Sequence, residues 1–185
     1  MTTTLILGGA RSGKSSYAEK LALESGKEVV YIATARAGDG EMALRIETHR
    51  SSRPNDWTTI EEPLLLGDAI LRCSEPDTLV LVDCLTLWLT NRIFSVDQDF
   101  PEVGVIDLPD IFYEQCDALL AALPQAPGDV IMVSNEVGLG IVPYGAVSRC
   151  FTDEAGRLNQ AVAKVCDRAL FIVAGMPLTL KGQAC

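Results

Sequence analysis

Gly8-Gly9-Ala10-Arg11-Ser12-Gly13-Lys14-Ser15 is the stretch that decides the fold. It has the form G-x-x-x-x-G-K-[ST], and its neighbours have the character that pattern requires. Thr2–Leu7 before it is an apolar run of strand length, and Ser15–Ser25 after it places Tyr17, Ala18, Leu21 and Ala22 at helical spacing. Strand, glycine loop and helix in that order form a phosphate-binding P-loop. Gly8 and Gly13 allow backbone conformations closed to other residues, so successive N–H groups turn toward phosphate oxygens at the positive end of the next helix. Lys14 is expected to bridge the β- and γ-phosphates and the Ser15 hydroxyl to ligate Mg²⁺. The nucleotide-binding set therefore begins with Gly8, Gly9, Ala10, Arg11, Ser12, Gly13, Lys14 and Ser15, with Lys14 also catalytic.

Outward from the loop, the same alternation continues. Glu28–Ala33, Leu79–Asp83, Val130–Ser134 and Leu170–Ala174 are further apolar runs of strand length, and Trp57–Glu61 reads as a short strand. Helical patterns fall at Glu41–Arg53, Pro63–Cys73, Leu85–Phe94, Asp110–Leu123 and Ala155–Asp167. Strands apolar throughout, alternating with amphipathic helices, predict an α/β fold with a mostly parallel sheet and helices on both faces. Ser95–Asp110 has five carboxylates, two prolines and no Lys or Arg, and reads as an exposed excursion. At 185 residues the chain fits one domain, 1–185.

Composition narrows the class. With 15 basic and 25 acidic residues the formal charge is −10, which argues against nucleic acid as a partner while leaving room for small anions held by local amides and a few cations. The six cysteines, Cys73, Cys84, Cys116, Cys150, Cys166 and Cys185, include no C-x-x-C pair, and the N-terminus has no basic-then-apolar signal segment. No apolar run reaches the ~18–20 residues of a membrane span. Free thiols in a reducing cytoplasm are the expectation.

Asp83 closes the run Leu79-Val80-Leu81-Val82, where a P-loop protein places the carboxylate that holds Mg²⁺ directly or through water. Ser15 and Asp83 are thus the candidate metal ligands. The only histidine, His49, follows Glu41–Thr48 and precedes Arg50-Ser51-Ser52-Arg53-Pro54. Helical spacing puts Met42, Arg45 and His49 on one face. Three readings compete for it: a solvent-exposed side chain with no role, a metal ligand, and a nucleophile or base in an anion site. Neighbouring arginines disfavour a metal cation, and no partner ligand stands at suitable spacing.

The ordered motifs resemble the bifunctional adenosylcobinamide kinase/adenosylcobinamide-phosphate guanylyltransferase family over nearly the whole chain. The resemblance rests on the Gly8–Ser15 loop with Tyr17-Ala18-Glu19, Tyr31-Ile32-Ala33-Thr34-Ala35, Arg45-Ile46 leading to His49, and Arg53-Pro54. It continues through Trp57, Thr59 and Glu61, Asp83-Cys84-Leu85-Thr86, Thr90-Asn91, and the run Ser134-Asn135-Glu136-Val137-Gly138-Leu139-Gly140-Ile141-Val142-Pro143. Arg149, Phe151, Asp153, Gly156, Leu158-Asn159-Gln160 and Ala174-Gly175-Met176-Pro177-Leu178 complete it.

The resemblance implies a RecA-like P-loop fold, assembly as trimers, and a covalently guanylylated histidine at His49. It also implies a guanine-nucleotide site around Ala33, Thr34, Ala35, Arg50, Ser51, Ser52, Arg53, Glu61 and Asp83. Two reactions follow in a step of cobalamin biosynthesis: phosphorylation of adenosylcobinamide by ATP or GTP, then transfer of GMP from GTP to the new phosphate. The Ser95–Asp110 stretch matches no motif, and Asp83 stands where some relatives carry Glu. Another small-metabolite P-loop kinase, or an NTP-binding regulatory switch, would share the loop without the nucleotidyl-histidine.

Overall fold

The computed structural model describes residues 1–36, 40, 53–95 and 98–183. Its centre is one sheet of seven strands: β1 (Thr3–Gly8), β2 (Glu28–Ala33), β3 (Thr58–Glu61), β4 (Thr78–Asp83), β5 (Asp129–Asn135), β6 (Arg168–Val173) and β7 (Met176–Lys181). The spatial order is β3-β2-β4-β5-β1-β6-β7, parallel throughout except for the antiparallel β6–β7 pair. β5 lies between the strand that leads into the glycine loop and the strand that ends in Asp83.

The central strands are apolar through their middles and polar toward their ends, because both faces are covered. Alternate residues part to opposite sides, as the two-residue period demands. Leu5, Ile32, Val80, Val82, Val130 and Met132 pack beneath α2 (Leu66–Cys73), α3 (Leu85–Ile93), α4 (Asp110–Ala122) and α5 (Ala146–Val165). Ile6, Tyr31, Leu81, Ile131, Val133 and Ile172 face α1 (Lys14–Glu24) through Ala18 and Ala22. The α/β expectation therefore holds, with helices on both faces. Among the described residues no helix is long and apolar enough to cross a membrane.

Three differences from the sequence reading have physical causes. The last helix begins at Ala146 rather than Ala155, because its first turns are only partly covered and carry Arg149, Thr152 and Asp153, which blurs the apolar period. β7 was not anticipated: nearly all of it is exposed, and Pro177 within it reads against a strand. The 95–110 stretch is acidic but not a free excursion, since Leu108 is buried and Phe100 and Ile106 pack on the larger core. The expected helix Glu41–Arg53 lies almost wholly outside the described residues.

Candidate active site

The loop between β1 and α1 is built by close backbone approach. Gly13, at the N-cap of α1, has φ 92°, and Arg11 is also left-handed with φ 56°. A Cβ at Gly8 would stand 2.8 Å from the Ile172 carbonyl oxygen, and one at Gly13 would stand 3.1 Å from the Gly175 Cα. These two glycines are required by the space and, at Gly13, by the sign of φ. Lys14 is buried and its ammonium donates to the Gly9 carbonyl at 3.2 Å, which keeps the charge at the mouth of the loop. The Ser12 hydroxyl is buried with no hydrogen-bond partner, a polar atom of the kind a bound phosphate would satisfy. Ser15 is half-buried on the first turn of α1, while Ala10 and Arg11 are exposed.

A second element braces the loop. The two residues joining β6 to β7, Ala174 and Gly175, both have positive φ, 51° and 79°. That is the backbone of a tight two-residue hairpin. The Gly175 amide donates to the Ser12 carbonyl at 2.8 Å, tying hairpin to loop. The signal for this turn in the sequence is the small Ala174-Gly175 pair that follows an apolar run.

Strand register aligns the remaining candidates along the carboxyl end of the sheet. Gly8 stands opposite Asn135, Val133 opposite Asp83, Asp83 opposite Ala33, and Ala33 opposite Glu61. At ~4.8 Å between neighbouring strands, Asp83 lies about 10 Å from β1 across the sheet, two residues short of the level of Gly8, and Ala33 a further strand away. Asp83 continues the alternation of Leu79 and Leu81, so it shares the α1 face with Lys14 and Ser15. It is half-buried at the strand end.

Polar contacts fix the surroundings of Asp83. Across a cis Asp83–Cys84 peptide, the fully buried Thr34 hydroxyl accepts from the Cys84 amide at 2.9 Å and donates to the Cys84 carbonyl at 2.7 Å. The Asn91 amide of α3 donates to the Thr34 carbonyl at 2.7 Å. The Asn135 amide donates to the Thr86 hydroxyl at 2.9 Å, and the Ser134 hydroxyl to Asn159 at 2.7 Å. Thr34 thus has its hydroxyl engaged, while the Ala33 and Ala35 positions beside it flank the edge. Burial pushes the Cys84 thiol up to about 11, with the Asp83 carboxylate adding to it, so Cys84 is a neutral thiol at pH 7.

Arg53 sits with its guanidinium carbon 3.4 Å from the centroid of the Tyr31 ring, a cation–π contact. Tyr31 also stacks on Trp57, with ring centroids 6.5 Å apart. Burial drives the Tyr31 phenol well above its usual range, Asp83 reinforces that, and Arg53 opposes it. The tyrosine is therefore a neutral spacer that brings Arg53 toward the Asp83 end of β4. At the end of β3, Glu61 is exposed and takes no side-chain hydrogen bond among the described residues. Its neighbour Glu62 is committed to structure, accepting from the Leu64 and Leu65 amides at 3.0 and 2.9 Å. His49, Arg50, Ser51 and Ser52 lie outside the described residues, as does Arg45.

A glycine-loop cradle, a lysine at its mouth and a carboxylate two strands away define the class: a P-loop nucleotide-binding protein. The chain belongs to the cobinamide kinase / cobinamide phosphate guanyltransferase family, whose model matches residues 4–180. It is 52% identical over 179 residues to a bifunctional adenosylcobalamin biosynthesis protein, CobP, of Pseudomonas aeruginosa, covering 97% of each chain. It is 40% identical to the CobU protein of Escherichia coli K12, covering 96% of this chain and 98% of that one. Among solved structures it is similar to an ATPase of a bacterial type III secretion system, with TM-score 0.59 and 11% identity, over 96% of this chain and 56% of the other. That likeness is one of fold.

Proposed function

We propose that this chain carries out both reactions for which its family is named, on nucleotide bound along the carboxyl end of the sheet. The observation that carries this reading is the register that aligns Gly8, Asp83, Ala33 and Glu61 at one end of parallel strands. One extended nucleotide spans that row, phosphates at Gly8–Ser15 and base toward Ala33–Ala35, Arg53 and Glu61. Ligands of open α/β sheets gather at this end.

In the kinase reaction the acceptor hydroxyl of adenosylcobinamide attacks the γ-phosphorus of ATP or GTP. The bond from the γ-phosphorus to the β–γ bridging oxygen breaks, the nucleoside diphosphate leaves with that oxygen and the hydroxyl proton passes to solvent. Lys14 neutralises charge on the transferring phosphates, and the loop amides hold them in line. Ser15 and Asp83 would hold Mg²⁺, a hydroxyl and a carboxylate oxygen being the donors that ion favours. When bound, the ion neutralises phosphate charge.

In the second reaction an imidazole nitrogen of His49 attacks the α-phosphorus of GTP, and pyrophosphate leaves as the α–β bond breaks. A phosphate oxygen of adenosylcobinamide phosphate then attacks the same phosphorus, the P–N bond breaks, and adenosylcobinamide-GDP forms with His49 restored. At pH 7 a histidine of ordinary basicity is largely neutral and nucleophilic. Arg50 and Arg53 would hold phosphate oxygens, with Ser51 and Ser52 between them. Both activities would reside in one domain, 1–185, in a cytoplasmic enzyme that assembles as a homotrimer, as the family resemblance implies. Product analysis with adenosylcobinamide and each triphosphate tests the reading: sequential appearance of the phosphate and the GDP derivative supports it, and triphosphate turnover without either product sinks it.

A further inference from the structure

The loop from β5 to α5 is unusual for an exposed segment. Leu139, Ile141, Val142 and Tyr144 are 82%, 98%, 75% and 82% exposed, in a chain whose other large apolar residues mostly enter two cores. A run of apolar side chains held in water marks a binding surface more often than chance. Within this loop Val137, Ile141, Val142 and Pro143 form one wall of a groove of about 490 Å³, within the range of small-molecule sites. The facing wall is the polar side of α5, with Asp153, Gly156 and Gln160 one turn apart.

The groove is built rather than incidental. Arg149 donates to the carbonyls of Pro143 and Tyr144, and to that of Gly104 at 3.4 Å. The Ala146 amide donates to the Glu102 carbonyl at 3.1 Å. These bonds pin the apolar loop to α5 and to the acidic 95–110 stretch, whose sequence suggested no role. The groove also adjoins the phosphate loop: Asn135 stands opposite Gly8, and the next amide, Glu136, donates to the Gly8 carbonyl at 3.0 Å.

We propose that this groove holds the corrinoid ring of the acceptor, placing its hydroxyl-bearing arm at the phosphate loop one strand away. The proposal rests on the kinase reading above. Its chemistry fits one occupant: an apolar macrocycle edged with carboxamide arms. The ring faces would lie on Ile141 and Val142. The carboxamides would meet Asp153 and Gln160, neither of which takes a side-chain hydrogen bond or ion pair among the described residues.

Two variants of opposite structural effect test this. Ile141→Asn with Val142→Asn removes the apolar wall at exposed positions. Gly156→Leu fills the groove from the helix, where an added Cβ meets nothing within 4 Å and the helix gains propensity. In the kinase reaction both should raise the corrinoid KM at least about tenfold while the triphosphate KM moves less than about twofold. An unchanged corrinoid KM in either folded variant overturns the groove assignment. So does a variant that changes the sedimentation coefficient with corrinoid KM intact, which makes the face a contact between copies of this chain. A wild-type protein that phosphorylates no corrinoid would instead remove the functional reading on which the groove depends.

Discussion

The two ends of the sheet are finished differently. At the amino end, carboxylates and a hydroxyl tie the strand starts together, although Nε and one terminal nitrogen of Arg168 are buried without a partner among the described residues. Asp129 accepts from the Thr2 amide at 2.6 Å and pairs with Lys27 at 2.8 Å. Asp167 accepts from the Thr3 amide at 2.8 Å and the Thr3 hydroxyl at 2.9 Å, and the Ser74 hydroxyl accepts from the Gly128 amide at 2.9 Å. At the carboxyl end Ser12 holds an unpartnered hydroxyl, Arg11 and Gly13 sit at positive φ, and Ile141 stands in water. The first end is held by paired carboxylates; the second carries a left-handed non-glycine residue and an unpartnered hydroxyl where a phosphate would bind. Stability and chemistry are divided along the strand direction, so substitutions at the two ends should have separable effects.

The largest effect belongs to Lys14→Ala. It removes the charge that must stabilise transferring phosphate, so both half-reactions should fall by about 10³-fold or more with little change in thermal midpoint. Near-normal turnover of either one would break the idea of a shared cradle. Asp83→Asn should be next, lowering Mg²⁺-dependent turnover by about 10- to 100-fold and raising the Mg²⁺ needed for half-maximal rate. An unchanged Mg²⁺ requirement would move the metal carboxylate elsewhere.

The smallest effect sharpens the other half of the comparison. Hydrogen bonds from the Thr3 amide and hydroxyl hold the Asp167 carboxyl below its ordinary range, and at Asp129 burial is outweighed by Lys27 and the Thr2 amide in the same direction. For a carboxyl depressed by folding, the contribution to stability is full above the unfolded value near 3.9 and is lost as pH falls through the folded value. Asp167→Asn should therefore lower the thermal midpoint by a few degrees at pH 7 and flatten its decline below about pH 4, leaving kcat/KM at pH 7 within about twofold. A comparable loss of activity would show the two ends to be coupled.

Much of this division was legible in the sequence. β2 at Glu28–Ala33 has the limits its pattern predicts, and β4 ends at Asp83 as expected, because buried strands show continuous apolar runs and a polar residue where they emerge. The glycine loop declared itself through residue types that only close backbone approach requires. What was not legible lies where solvent weakens the pattern: the first turns of α5, the exposed edge strand β7, and the hydrophobic anchors Phe100, Ile106 and Leu108 hidden in an acidic stretch. The bracing of Ser12 by Gly175 is a contact across 163 positions, which no local spacing encodes. His49 and Arg50 to Ser52 rest on the sequence alone.

The most direct test of the account is the intact mass of the protein after incubation with GTP and Mg²⁺, wild type beside His49→Ala. A GMP-sized increase is expected in the wild type and not in His49→Ala, with continued phosphorylation of adenosylcobinamide by that variant. A GMP-sized increase that persists in His49→Ala, or none in a wild type that still forms the GDP derivative, would contradict it.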